Sequence, residues 1–128
     1  MTATLLNLVV NHLRAAPDLL AGYTPRYFRW TDAELKGGGG YALFRSAGTG
    51  RSDYTVLKTD VSIRLIDDAA NAVAIMDAME AIRGRFFERF NGVGVFHFQP
   101  MTEVLGPSYL QNDRVIADLT VRTMRGQP

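Results

Sequence analysis

Two histidines, one pair of adjacent carboxylates and two glycine-rich runs are the groups to test first for chemistry in this 128-residue chain. A metal centre needs several nitrogen, sulfur or carboxylate ligands brought together, most simply by histidines four apart on a helix. His12 and His97 each lack a second ligand at such spacing, and no HxxxH or HExxH occurs. Packing or surface positions account for both. Cysteine is absent, which excludes disulfides and thiolate sites. Asp67-Asp68 could share a proton or hold a cation. They stand at an expected helix start, however, where a carboxylate accepts orphan N–H groups and suits the helix dipole, so capping is the expectation. Gly37 to Gly40 and Gly48-Thr49-Gly50 invite comparison with phosphate-cradling loops. Neither is followed by Lys-Ser or Lys-Thr, and neither leads from a strand directly into a helix. Arg83, Arg85 and Arg89, interleaved with Phe86, Phe87 and Phe90, could suggest RNA. On a helix the phenylalanines would face the core and the arginines a solvated side. Ser46, Ser52 and Ser108 have no histidine or acid that spacing would assign to a triad. No catalytic residue, cofactor or metal is expected, and the chain does not read as an enzyme.

The totals agree with that reading. Apolar residues are 47% and charged residues 21%, and fourteen basic side chains against thirteen acidic ones leave a net charge of +1. A protein that coats nucleic acid normally needs a clear basic excess. Met1 to Ala16 has no basic residue before Arg14 and is interrupted by Asn7, Asn11 and His12. It is too short and polar for a membrane span and does not read as an export signal, which makes an intracellular site of synthesis the simplest expectation.

Any such group needs a scaffold, and its clearest part runs from Asp53 to Phe90. Leu57, Thr59, Val61, Ile63 and Leu65 alternate with Lys58, Asp60, Ser62, Arg64 and Ile66, the period of a strand with one buried face. After Asp67-Asp68 the period turns helical. Val73, Met76, Met79, Ile82, Phe86 and Phe90 form one stripe, with a break possible at Gly84 and a stop near Asn91-Gly92. Leu5, Leu8, Val9 and Leu13, with Ala16, predict an amphipathic N-terminal helix capped by Thr2 or Thr4 and ended by Pro17. Tyr27 to Trp30 and Tyr41 to Phe44 are short strand candidates, separated by the four glycines. Ser46 to Ser52 reads as a polar loop. Val93 to Gln99 is expected as a strand with Val93, Val95 and His97 on one face and Phe96 and Phe98 on the other. Pro100 to Asp113 reads as a connection, and Val115, Ala117, Leu119 and Val121 mark a closing strand. The expectation is one α+β domain over residues 1–128: a mainly antiparallel sheet of four to five strands, with the N-terminal helix and one long helix on one face. Loops near 31–40 and 46–53 are expected to be mobile, and 125–128 to fray.

This layout resembles the tail terminator (tail-completion, minor tail) proteins of long-tailed bacteriophages. The likeness rests on the opening helix TLLNLVVNHLRA, the loop-rich region after it, the strand-to-helix unit VSIRLIDDAANAVAIMDAMEAIRGRF, and GPSYLQNDRVIADLTVRT with Leu110, Asp113 and Arg114 before the closing strand. The resemblance implies a structural protein that caps the tail tube as a ring, commonly of six copies. Such a ring stops tube growth and presents a surface to the head connector. Its partners would be the tail tube protein, the head–tail connector and further copies of itself. DNA would pass through the lumen without specific binding, and no membrane would be involved. The protein would lie at the head-proximal end of the tail after assembly in the host cytoplasm. Expected contact residues are the loops around Gly37, Gly38, Gly39 and Gly40 and from Ser46 to Asp53, the latter with Arg51 and Asp53, together with Arg45 just before it. The turn Gln111, Asn112, Asp113 and Arg114 is a further expected contact. The alternatives are another head-completion or connector component and, from a different class, a small-ligand-binding α+β domain.

Overall fold

A computed structural model describes residues 2–16, 18–27, 40–49, 56–92, 94, 95, 97–110 and 113–126. In chain order the elements are α1 (Thr2–Arg14), β1 (Tyr23–Tyr27), β2 (Gly40–Thr49), β3 (Val56–Asp68), a 3-10 turn (Ala69–Asn71), α2 (Ala72–Glu88), β4 (His97–Pro100), β5 (Leu105–Leu110) and β6 (Arg114–Gly126). The strands form one six-stranded sheet in the order β1-β2-β3-β6-β4, with β5 also on β6. Only β1 and β2 run parallel; every other pair is antiparallel. The expected α+β class is therefore what the chain adopts.

The centre of the sheet is the β3–β6 ribbon, thirteen residues in each strand and paired without a break from Val56↔Gly126 to Asp68↔Arg114. Its odd-numbered residues face the helices. Val61, Ile63 and Leu65 of β3 and Val115, Ala117, Leu119 and Val121 of β6 share one core with Leu5, Val9 and Leu13 of α1 and with Ile75, Met79, Ile82 and Phe86 of α2. Each buried side chain of this size contributes about 1.5–3 kcal/mol, which is why the two amphipathic helices lie on this face.

Several local expectations are corrected. In α1 the buried stripe is wider than the sequence indicates, since Leu6 and Val10 are buried as well. In α2 the inward position is Ile75, while Val73 is 76% exposed. Ile75 continues the spacing of Met79, Ile82 and Phe86, and Val73, two residues earlier, falls on the far side of the helix. The helix passes Gly84 unbroken and ends at Glu88, short of Asn91-Gly92, leaving Phe90 half-exposed beyond it. Asp67 and Asp68 still belong to β3, and neither Asp68 nor Asn71 makes a side-chain cap. With a 3-10 turn intervening, the Ala69 N–H goes instead to the Asp113 carbonyl at 2.8 Å. β2 runs on to Thr49, with a register shift between Ser46 and Gly48, where the residue types predict a loop. β6 extends to Gly126, past the expected fraying point. Val95 and Phe98 are both buried against the same core, which a single alternating strand cannot do. The strand accordingly starts at His97, after a Gly92↔Val95 bridge. β5 lies inside the segment expected to be a connection. A strand is found at Tyr23–Tyr27; the expected strand from Tyr27 to Trp30 falls, past Tyr27, outside the described residues.

Candidate functional site

The expected contact residues fall into three groups. Gly37, Gly38, Gly39, Arg51, Asp53, Gln111 and Asn112 lie outside the described residues. Gly40 and Arg45 both belong to β2. Gly40 pairs with Tyr23, and a Cβ built there would collide with the Gly22 carbonyl oxygen and lie 2.9 Å from Tyr23 Cδ1. This glycine therefore serves the close approach of two backbones. Arg45 stands exposed opposite Ser62. Asp113 is exposed with φ 55° and leads into β6, whereas Arg114 is only 2% exposed and pairs through Nη1 with Asp68 Oδ1 at 2.6 Å. The Arg114 guanidinium is thus used within the subunit.

That ion pair is one rung of a ladder on the sheet face away from the helices. Arg64 meets Asp118 through two hydrogen bonds, 2.5 and 3.1 Å, and Arg122 meets Asp60 through two more, 2.8 and 3.2 Å. All three pairs are directly opposed in the β3–β6 register. Along β3 the signs read Asp60, Arg64, Asp68, and along β6 they read Arg114, Asp118, Arg122. The Asp60 carboxylate holds the Arg122 guanidinium more firmly protonated than an isolated arginine. At the end of β3, the Asp67 carboxylate accepts from Tyr23 O–H at 3.0 Å, the Asp68 N–H at 2.8 Å and Asn71 Nδ2 at 3.1 Å. Burial, followed by the Asp67 charge, pushes the Tyr23 phenol well above its usual range, so this tyrosine is a fixed donor and unfit as a base.

His12 is the remaining candidate for chemistry. Its ring is buried between Phe98 and Phe86, with centroids at 4.4 and 5.6 Å. Nε2 lies 2.8 Å from the Arg89 carbonyl oxygen; because a carbonyl only accepts, Nε2 carries the proton. Nδ1 is covered by Gly92, where a Cβ would come within 2.8 Å. Burial lowers the pKa of the ring, with the Arg85 charge adding to the fall against the Arg89 carbonyl. The ring is neutral and stacked on two phenylalanines, which suits packing rather than proton transfer. His12 itself, with Leu8, Asn11, Ala15, Arg85, Arg89 and Asn91, borders an open cleft of about 410 Å³. No group of three or more His, Cys, Asp or Glu among the described residues could hold a metal ion. No helix among them is long and apolar enough to cross a membrane.

The surface most available to another molecule is β5. All six of its residues are exposed, including Leu105, Tyr109 at 66% and Leu110. Among the described residues it pairs only with β6. Sequence reasoning missed it because Gly106-Pro107 reads as a turn. Proline is nevertheless tolerated in an edge strand, where its missing N–H faces away from the ladder.

No family model matches the chain, and no curated protein matches it. Among solved structures, it is similar to a chain described as the virion of a native gene transfer agent particle. The identity is 20%, the TM-score 0.50, and the match covers 96% of this chain and 95% of that one. The likeness is one of fold.

Proposed function

We propose that the protein is a structural component of a phage-like virion, acting without catalysis, and that its place is the head-proximal end of the tail. There it caps the tube as a ring of copies, commonly six, ends polymerisation of tube subunits and offers the joining surface to the head connector. The observation that carries this reading is the end-to-end fold likeness to a virion chain, over 96% of this protein and 95% of the other. The distribution of surface is in keeping with it. β5 offers main-chain groups and apolar side chains along an edge, and edges of this kind recruit further strands without any catalytic group. A closed ring joins unlike patches head to tail; with near-balanced charge, Arg45 is positioned to meet a neighbour's acid. Weakly charged walls would let DNA pass through the lumen without tight phosphate binding.

The direct biochemical test is polymerisation of purified tail tube protein in the presence of this protein. Substoichiometric addition is expected to stop elongation and leave a ring visible at one end of each tube. Unchanged elongation, with the protein binding instead to isolated head connectors, would move it to the head side of the joint.

A further inference from the structure

We infer that the cleft between the C-terminal halves of α1 and α2 seats an acidic side chain carried on a short apolar segment of a partner protein. Arg85 and Arg89 border it, with Asn11, Asn91 and His12. No acidic side chain lines it among the described residues. Arg85 and Arg89 are four apart, so they project on the same side at the end of α2, where like charges repel. Arg85 uses one nitrogen locally, with Nη2 3.4 Å from the His12 carbonyl oxygen. Its Nε is buried and has no hydrogen-bond partner. Because that nitrogen is shut off from solvent, a carboxylate in the cleft would act on the outer parts of the two side chains, offsetting the like charge of the two arginines.

The walls explain the apolar stem. Leu8, Ala15 and Gly92 line the cleft beside the polar groups, and a space of about 410 Å³ suits a few side chains. The openness of the rim points to a protein. Asn11, Ala15, Arg89 and Asn91 are all exposed, so a free small acid would remain half hydrated, whereas a partner surface laid across the rim would complete the enclosure. This inference is independent of the tail-capping role.

The test is a titration of the isotope-labelled protein followed by NMR, with acetyl-Leu-Glu-Leu-amide as probe. The Glu peptide is expected to move the Arg85 Nε–Hε signal and the Asn11 and Asn91 side-chain amide signals saturably. The peptide with Gln in place of Glu should bind about tenfold more weakly. Arg89→Ala, at an exposed position, should cost the Glu peptide about tenfold while leaving the rest of the spectrum unchanged. No saturable shift, or equal binding of the Glu and Gln peptides, would overturn the assignment. Hexanoate binding as tightly as the peptide would also overturn it, by making the cleft a site for a small acid.

Discussion

The two faces of the β3–β6 ribbon are built from alternate residues of the same two strands and do different work. On the inner face, Val61, Ile63 and Leu65 meet Val121, Leu119 and Ala117. Sliding one strand by two residues would still place Ile63 on Ala117 or Val121, so this face supplies burial energy and discriminates weakly against the smallest slips. The outer face supplies the register. A slip of four residues one way would set Asp60 against Asp118 and Arg64 against Arg114; the other way, Arg64 against Arg122 and Asp68 against Asp118. A slip of two residues would set Arg64 against Ile116 or Thr120. Each alternative places like charges together or leaves a charge unmatched, and register is specified most strongly where a slip carries such a penalty. Part-exposed pairs such as Arg64–Asp118 and Arg122–Asp60 contribute only about 0–1 kcal/mol each. Their value lies in discrimination between registers.

Neighbouring residues separate the two roles. Ile63→Ala, at a fully buried position, is expected to destabilise by about 2–5 kcal/mol, measured by urea unfolding. A loss below about 1 kcal/mol would mean the inner face is not the main source of stability. On the outer face, Asp118→Arg sets two guanidiniums opposite each other and should cost about 1 kcal/mol. Adding Arg64→Asp restores the pair with its polarity exchanged, and the double variant should recover most of the loss. Strictly additive single effects would remove the ladder from the account. Beyond both faces, Gly84 sits exposed in α2, and a Cβ added there would meet nothing within 4 Å. Gly84→Ala should therefore stabilise by about 0.5–1 kcal/mol in thermal unfolding.

The smallest effect concerns His12, at the end of the core. Its folded pKa is lowered by burial, so the unfolded chain binds the proton more readily. The stability contributed by the neutral ring is therefore full above about pH 6.5 and falls as the pH drops through that value. His12→Gln should flatten the stability profile just below about pH 6.5. An unchanged slope would assign the acid sensitivity to other groups.

Much of the ribbon is legible in the sequence, because a thirteen-residue strand with one buried face repeats its period often enough to be read. The residues of the ladder are visible too, as Asp60, Arg64 and Asp68 facing Arg114, Asp118 and Arg122. It is recognised only when the two strands are laid antiparallel; in either strand alone these residues read as an ordinary solvated face. The misreadings cluster where the period is short or interrupted. Asp67-Asp68 reads as a helix cap because the 3-10 turn that separates the pair from α2 leaves no signature in residue type. β5 is hidden by Gly106-Pro107. Arg89 is exposed, as expected, but Arg85 reads as solvated because the packing of α1 against the end of α2, which brings His12 beside it, is a tertiary fact. Of the expected contact residues, Arg114 is buried and paired with Asp68 across the ribbon.

The central claim is tested most directly by electron microscopy of particles assembled with the gene for this protein deleted. Overlong tail tubes without heads are the predicted result, since nothing would then stop tube growth. Tails of normal length lying beside filled heads would contradict the capping role.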